Sequence, residues 1–154
     1  MKSPSPKVLA GALAAVTACI AFYKPWEGGD VLKPYQDIVG VWTVCAGITR
    51  GVEHRPYTRA ECQQLDKQET VRLLTEVAAC IDKPLTEHQW VAVGSWTYNV
   101  GAANACRSTL VQKINAGRSA QEWCRELLKW NRAGGQVVRG LTRRREAEYA
   151  ECIK

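Results

Sequence analysis

Seven cysteines, at positions 19, 45, 62, 80, 106, 124 and 152 of a 154-residue chain, constrain the fold more than any other feature. None forms a Cys-x-x-Cys pair, and His54 and His88 have no cysteine partner at metal-ligand spacing, so no metal site is expected. Cysteines used this densely without a metal belong to an oxidising compartment. The six beyond residue 24 make an even set and read as three disulfides. Six cysteines allow many pairings, and the sequence alone leaves them open. The preferred set is Cys45–Cys62, Cys80–Cys106 and Cys124–Cys152, because each bond would tie a helix to its neighbour. Each would close a loop of roughly 18 to 29 residues, worth about 3 kcal/mol if loop entropy dominates.

The seventh, Cys19, lies in an apolar run. Lys2 and Lys7 precede sixteen uncharged residues, Val8 to Tyr23, and Lys24 closes the stretch. A basic flank followed by an apolar segment is what export machinery reads. As one helix the run spans roughly 24 Å, short of a hydrocarbon core of about 30 Å. Six alanines, Gly11 and Thr17 make it weakly apolar. Four readings follow: a cleaved signal peptide, a lipoprotein signal ending at Cys19, an uncleaved marginal anchor, or a buried helix of a soluble domain. The composition suits the anchor best, which divides the chain into an anchor over 1–24 and one domain over 25–154. Released from a membrane, the run would need somewhere to bury. Cys19 would then be either an unpaired buried thiol or a redox switch exchanging with Cys45.

The body has no internal repeat and no linker. Residues 31–53 are rich in Val, Ile, Thr, Tyr and Trp and punctuated by Gly40, Gly47 and Gly51, which predicts a small antiparallel hairpin sheet. Helix starts follow at Thr58 with Glu61, Thr86 with Gln89, and Ser119 with Glu122, each spaced for a capping box. The first helix would run to Pro84. The second, over 87–99, is apolar nearly all round and predicts a central buried helix. Shorter helices are expected at 108–116 and 120–131, then a loop at Gly134-Gly135 and a last helix over 142–152. A small sheet followed by a helical bundle is an α+β pattern. Trp42, Trp90, Trp96, Trp123 and Trp130 read as core.

No Ser or Cys nucleophile with a histidine base stands out, nor any phosphate loop or dinucleotide fingerprint, so no cofactor is expected. Carboxylate chemistry remains. The stretch WEGGDVLKPYQDIVGVWTVCAGIT puts Glu27, Asp37 and Thr43 within seventeen residues. Glu27 precedes Gly28-Gly29, where a helix would stop, and Asp37 and Thr43 sit in the hairpin. This stretch resembles the active-site region of phage-type lysozymes, glycoside hydrolase family 24, whose motif is Glu, eight residues, Asp, five residues, then Thr or Cys. Here nine residues separate Glu27 from Asp37, and the family's Gly-His-Thr reads Gly47-Ile48-Thr49. The segments Ser95-Trp96-Thr97-Tyr98-Asn99-Val100-Gly101 and Cys106-Arg107-Ser108-Thr109-Leu110 resemble the family's central helix and following turn. Gly140-Leu141-Thr142-Arg143-Arg144-Arg145 resembles the start of its final helix. With the amino-terminal run, the whole chain resembles signal-anchor-release endolysins of phages of Gram-negative hosts.

The resemblance implies a lysozyme-like fold and a muramidase that hydrolyses β-1,4 bonds between N-acetylmuramic acid and N-acetylglucosamine in peptidoglycan, lysing the host. It would be inactive while tethered at the periplasmic side of the inner membrane, then released to the periplasm. Glycoside hydrolysis needs one protonated carboxyl and one charged carboxylate, about 6.5–9.5 Å apart when configuration inverts. Glu27, at a helix end beside Trp26, would be the proton donor. Asp37 would be the charged partner, and Thr43 would hold the attacking water. Tyr35 and Asn99 are candidate substrate-binding residues of the cleft.

Two other classes compete: a catalytically inactive peptidoglycan-binding module of the same fold, and a membrane-permeabilising protein acting through its amino-terminal helix. The charge of +6 favours anionic partners. Between Arg125 and Arg145 stand seven basic residues and one acid, Glu126. Export and disulfides argue against nucleic acid, so this stretch reads as a solvated helix face or as attraction to an anionic wall. A monomer is expected.

Overall fold

The structure, a computed structural model, describes residues 2–154. The amino-terminal run forms two helices, α1 (Pro6–Ala14) and α2 (Val16–Tyr23). Ser5 starts the first, its Oγ accepting from Val8 N–H, with Pro6 in the opening turn where a missing N–H costs nothing. The run breaks near Ala15 and bends by 47°, and no single helix among the described residues is long and apolar enough to cross a membrane. Val8, Ala12, Ala15, Val16, Cys19 and Tyr23 are all buried, so these helices line the main core.

A 3-10 turn (Lys24–Glu27) links α2 to the hairpin, whose strands β1 (Val31–Gln36) and β2 (Trp42–Cys45) pair antiparallel. Val31 faces Cys45 and Tyr35 faces Thr43, so β1 spends four residues where β2 spends two. Strand β1 therefore bulges between Val31 and Tyr35.

Both expected capping boxes at Thr58 and Thr86 are made, opening α3 (Arg59–Ala78) and α4 (Glu87–Val100). The third is half made: Ser119 accepts from Glu122 N–H and starts α7 (Ala120–Cys124). Between them lie α5 (Ala102–Cys106), which the sequence reading did not anticipate, and α6 (Thr109–Asn115). Helix α3 stops six residues short of Pro84 because Asn115 takes over its end, accepting from Asp82 N–H at 2.8 Å and donating to Cys80 O at 2.9 Å. The helix expected over 120–131 gives way after Cys124 to a 3-10 segment (Arg125–Lys129). Gly134 and Gly135, both at positive φ, turn a second hairpin, β3 (Arg132–Ala133) with β4 (Gln136–Val137). The last helix, α8 (Arg139–Cys152), starts three residues earlier than expected.

Helix α4 is central, with every residue from Trp90 to Thr97 buried against α2, α3 and α8. The disulfides join Cys45 to Cys62, Cys80 to Cys106 and Cys124 to Cys152. Cys19 is free and buried. Trp90, Trp96 and Trp123 are core, and Trp130 packs edge-on against Trp96 at 5.3 Å. Trp42 is not core: it is exposed on β2 and lies tilted against His54, ring centroids 4.1 Å apart.

Candidate active site

Glu27 is the last residue of its 3-10 turn, which ends because Gly28 adopts a left-handed φ of 80°. Its Oε1 accepts from Arg144 Nη1 at 2.6 Å. Its Oε2 lies towards the β2 turn, 3.9 Å from where a Cβ on Gly47 would stand. The apolar flank expected from Trp26 is absent, because that ring is exposed and an arginine occupies the other side.

Behind Glu27 lies a buried set of charges. Arg144 reaches Glu148 Oε1 through Nε at 3.2 Å and the Ser95 carbonyl through Nη2 at 3.0 Å. Ser95 Oγ donates to Glu148 Oε1 at 2.7 Å. Arg145 Nη2 donates to the same oxygen at 3.1 Å, while its Nε approaches Glu148 Oε2 at 2.8 Å too far off axis for a hydrogen bond. Two arginines and two glutamates thus balance, which is the condition for charges to sit in a core. Burial pushes the Glu148 carboxyl up, against the pull of both arginines. The expectation of a solvated basic face is therefore corrected at Arg144 and Arg145, which are 4% and 0% exposed. Their i,i+4 and i,i+3 spacing to Glu148, on a helix with no apolar stripe, was the signal available.

Asp37 and Thr43 lie on the first hairpin, whose residues do not line the cleft that holds Glu27. Asp37 Oδ1 accepts from Val39 N–H and Val41 N–H, both at 2.9 Å, and so fixes its own turn. Thr43 is buried and donates to Val41 O at 3.1 Å. Tyr35, its cross-strand partner, projects from the same face of the hairpin and is exposed. Asn99, at the end of α4, shares with Glu27 a cleft of about 400 Å³ whose walls include Trp26, Val138, Leu141 and Arg143. The structure thus joins Asn99 to Glu27 and Tyr35 to Thr43.

Cys19 stands apart, wedged against Gly94 of α4. Burial pushes its thiol up to about 12, the Glu148 charge adding to the effect and Arg144 opposing it. Cys45 is already bonded to Cys62. The arrangement therefore gives no support to an exchange with Cys45, which needs a thiolate.

Residues 24–148 match the model of the family described as phage lysozyme. The chain belongs to that family. It is 36% identical over 156 residues to a SAR-endolysin of Enterobacteria phage P21, covering 99% of this chain and 94% of the relative. It is 40% identical over 124 residues to a SAR-endolysin of Bacteriophage PS119, covering 79% and 73%. Among solved structures, the muramidase domain of SpmX from Asticaccaulis excentricus superposes with a TM-score of 0.76 at 24% identity, covering 92% of this chain and 95% of that one. A point mutant of P22 lysozyme gives 0.73 at 22% identity, covering 100% and 99%. The lysozyme-like fold read from the resemblance is thereby established, and family membership makes the chain a glycoside hydrolase of the muramidase type.

Proposed function

We propose that this phage lysozyme acts as an exported endolysin in which Glu27 donates the proton to the departing sugar oxygen and Asp37 and Thr43 serve the attacking water. The observation that carries the reading is the holding of Glu27 by Arg144. Arg144 fixes Oε1 and leaves Oε2 on the side of Gly47, in the turn that follows the strand bearing Thr43. Asp37 spends Oδ1 on its own turn, and Oδ2 is the oxygen that faces water or positive charge developing on the sugar. Thr43 orders that water, and Tyr35 and Asn99 contact the glycan on either side.

The same proposal covers the amino terminus. Residues 1–24 first hold the chain at the periplasmic face of the inner membrane, leaving 25–154 inactive, and then fold into the domain as it enters the periplasm. Support comes from the composition of the run, and from the bent pair Pro6–Ala14 and Val16–Glu27, which together match a span by length and composition. The relatives named SAR-endolysins match along almost the whole chain. Peptidoglycan is the partner, and the enzyme works as a monomer without a cofactor.

The test is turbidity clearing of permeabilised Gram-negative cells by the purified chain. Glu27→Gln should cost about 10²- to 10⁴-fold in rate, the range for removing a general acid. Reducing-end release must fall in parallel. Clearing that survives Glu27→Gln would instead favour a non-catalytic or membrane-permeabilising action.

A further inference from the structure

The boundary between the amino-terminal run and the site carries an ion cluster that the chemistry above does not use. Lys24 is the C-cap of α2 and the first residue of the turn that ends at Glu27. Its Nζ lies 2.8 Å from Asp66 Oδ2 on α3 and 3.0 Å from Asp30 Oδ2, just past the Gly28-Gly29 bend. The preceding residue, Tyr23, is hydrogen-bonded through Oη at 3.0 Å to Thr70 Oγ1, one turn on from Asp66 along α3, and its ring stacks on Tyr98 at 4.0 Å. Tyr98 in turn donates to the carbonyl of Ala46, beside Gly47.

We infer that Lys24 is a positioning residue for Glu27, a latch that fastens the short segment carrying it. Lys24 and Asp30 bracket Glu27 in sequence, so their ion pair ties both ends of the short segment that carries it. Asp66 anchors that closed segment to α3, while Arg144 holds the glutamate's tip from α8. Asp66 is wholly buried, and burial holds its carboxyl above the usual range, with Lys24 pulling it back. Partial burial works against the Lys24 ammonium too, yet its bonds to Asp66 and Asp30 outweigh that and raise its pKa. One oxygen on each aspartate has no protein partner, so Lys24 is the group that makes this corner tolerable.

The inference rests on the reading of Glu27 as the acid, and the experiment separates the two. Full-length Lys24→Gln, Lys24→Arg, Asp66→Asn and Glu27→Gln are purified from the soluble fraction and assayed on isolated peptidoglycan, below the unfolding midpoint of each. Lys24→Gln should lower kcat about tenfold to a hundredfold with KM unchanged, as misplacement by about 1 Å does. Asp66→Asn should lose less, because Asp30 remains, and Lys24→Arg should recover most of the rate. Wild-type kcat in Lys24→Gln beside an inactive Glu27→Gln would overturn the latch alone, as would a loss confined to KM or a failure of arginine to rescue. Full activity in Glu27→Gln would overturn the reading beneath it.

Discussion

The hairpin holds its own groups in place: Asp37 bonds to backbone two and four residues on, and Thr43 to a carbonyl two residues back. Glu27 depends on distant partners, Arg144 at a sequence separation of 117 and, through Lys24, Asp66 at 42. The first arrangement can form as soon as the hairpin does. The second exists only after three remote segments have met, each closure opposed by chain entropy. The state of assembly is therefore felt at Glu27, while the hairpin can remain a fixed template.

The strongest way to break this contrast is Arg144→Met. It strips the charge that Glu27 and the wholly buried Glu148 share. Removing one partner of a buried pair costs about 3–5 kcal/mol, and the partial exposure of Glu27 puts the expectation near the lower end of that range. Thr43→Val on the hairpin removes one ordinary hydrogen bond and should cost about 1 kcal/mol. Urea denaturation of both variants checks the ordering. Equal losses would mean that Glu27's setting is no more dependent on assembly than the hairpin's.

A smaller effect should follow from Gly94→Ala, which probes docking of the run itself. A Cβ there would stand 2.5 Å from Cys19 Sγ and 3.1 Å from Leu74 Cδ2. Overpacking of this kind costs about 1–3 kcal/mol. It should raise the alkylation rate of Cys19, whose thiol is otherwise buried and pushed up to about 12, and shift full-length chain towards the membrane fraction. Adding Cys19→Ala should relieve the clash and restore soluble protein. Gly94→Ala with wild-type alkylation and fractionation would show that close fit at this contact does not govern docking.

What the sequence made legible was local. Thr58 and Thr86 announced α3 and α4 because a cap and its N3 partner lie three residues apart. The apolar girth of α4 announced a central helix. The proposed catalytic trio was picked out by spacing and family resemblance, and the structure adds the cleft shared by Glu27 and Asn99. What stayed hidden was non-local. Arg144 and Arg145 read as a wet face because α8 has no apolar stripe, and their burial depends on Glu27 and Glu148 both being present to neutralise them. Lys24 read only as the end of an apolar run, since nothing in sequence ties it to Asp66. The bend near Ala15 has no glycine or proline to announce it and arises where the run must wrap over α3 and α4.

The two regions meet on one face of α3, which carries Cys62, bonded to Cys45, and one turn on Asp66, paired with Lys24. The start of α3 is held by Glu61, whose Oε2 accepts from Thr58 N–H at 2.7 Å and whose Oε1 meets Arg55 Nη2 at 2.8 Å. Arg55 chiefly, and Thr58 after it, draw the Glu61 carboxyl down from 4.5 to about 2. A carboxyl whose pKa is depressed by folding stabilises the fold above its unfolded value. That contribution is lost as the pH falls from 4.5 towards about 2. The pair is exposed, so the effect should be small and screened by salt. In acid titration followed by amide exchange, protection in the first turn of α3 should fall over this window, while the Asp37 turn keeps its own course. Glu61→Gln preserves the box, since glutamine serves equally at that position. It should abolish the acid step without shifting stability much near neutrality. A Glu61 carboxyl titrating at its ordinary value would mean that Arg55 does not hold it in solution, and that the junction between the regions rests on the disulfide alone.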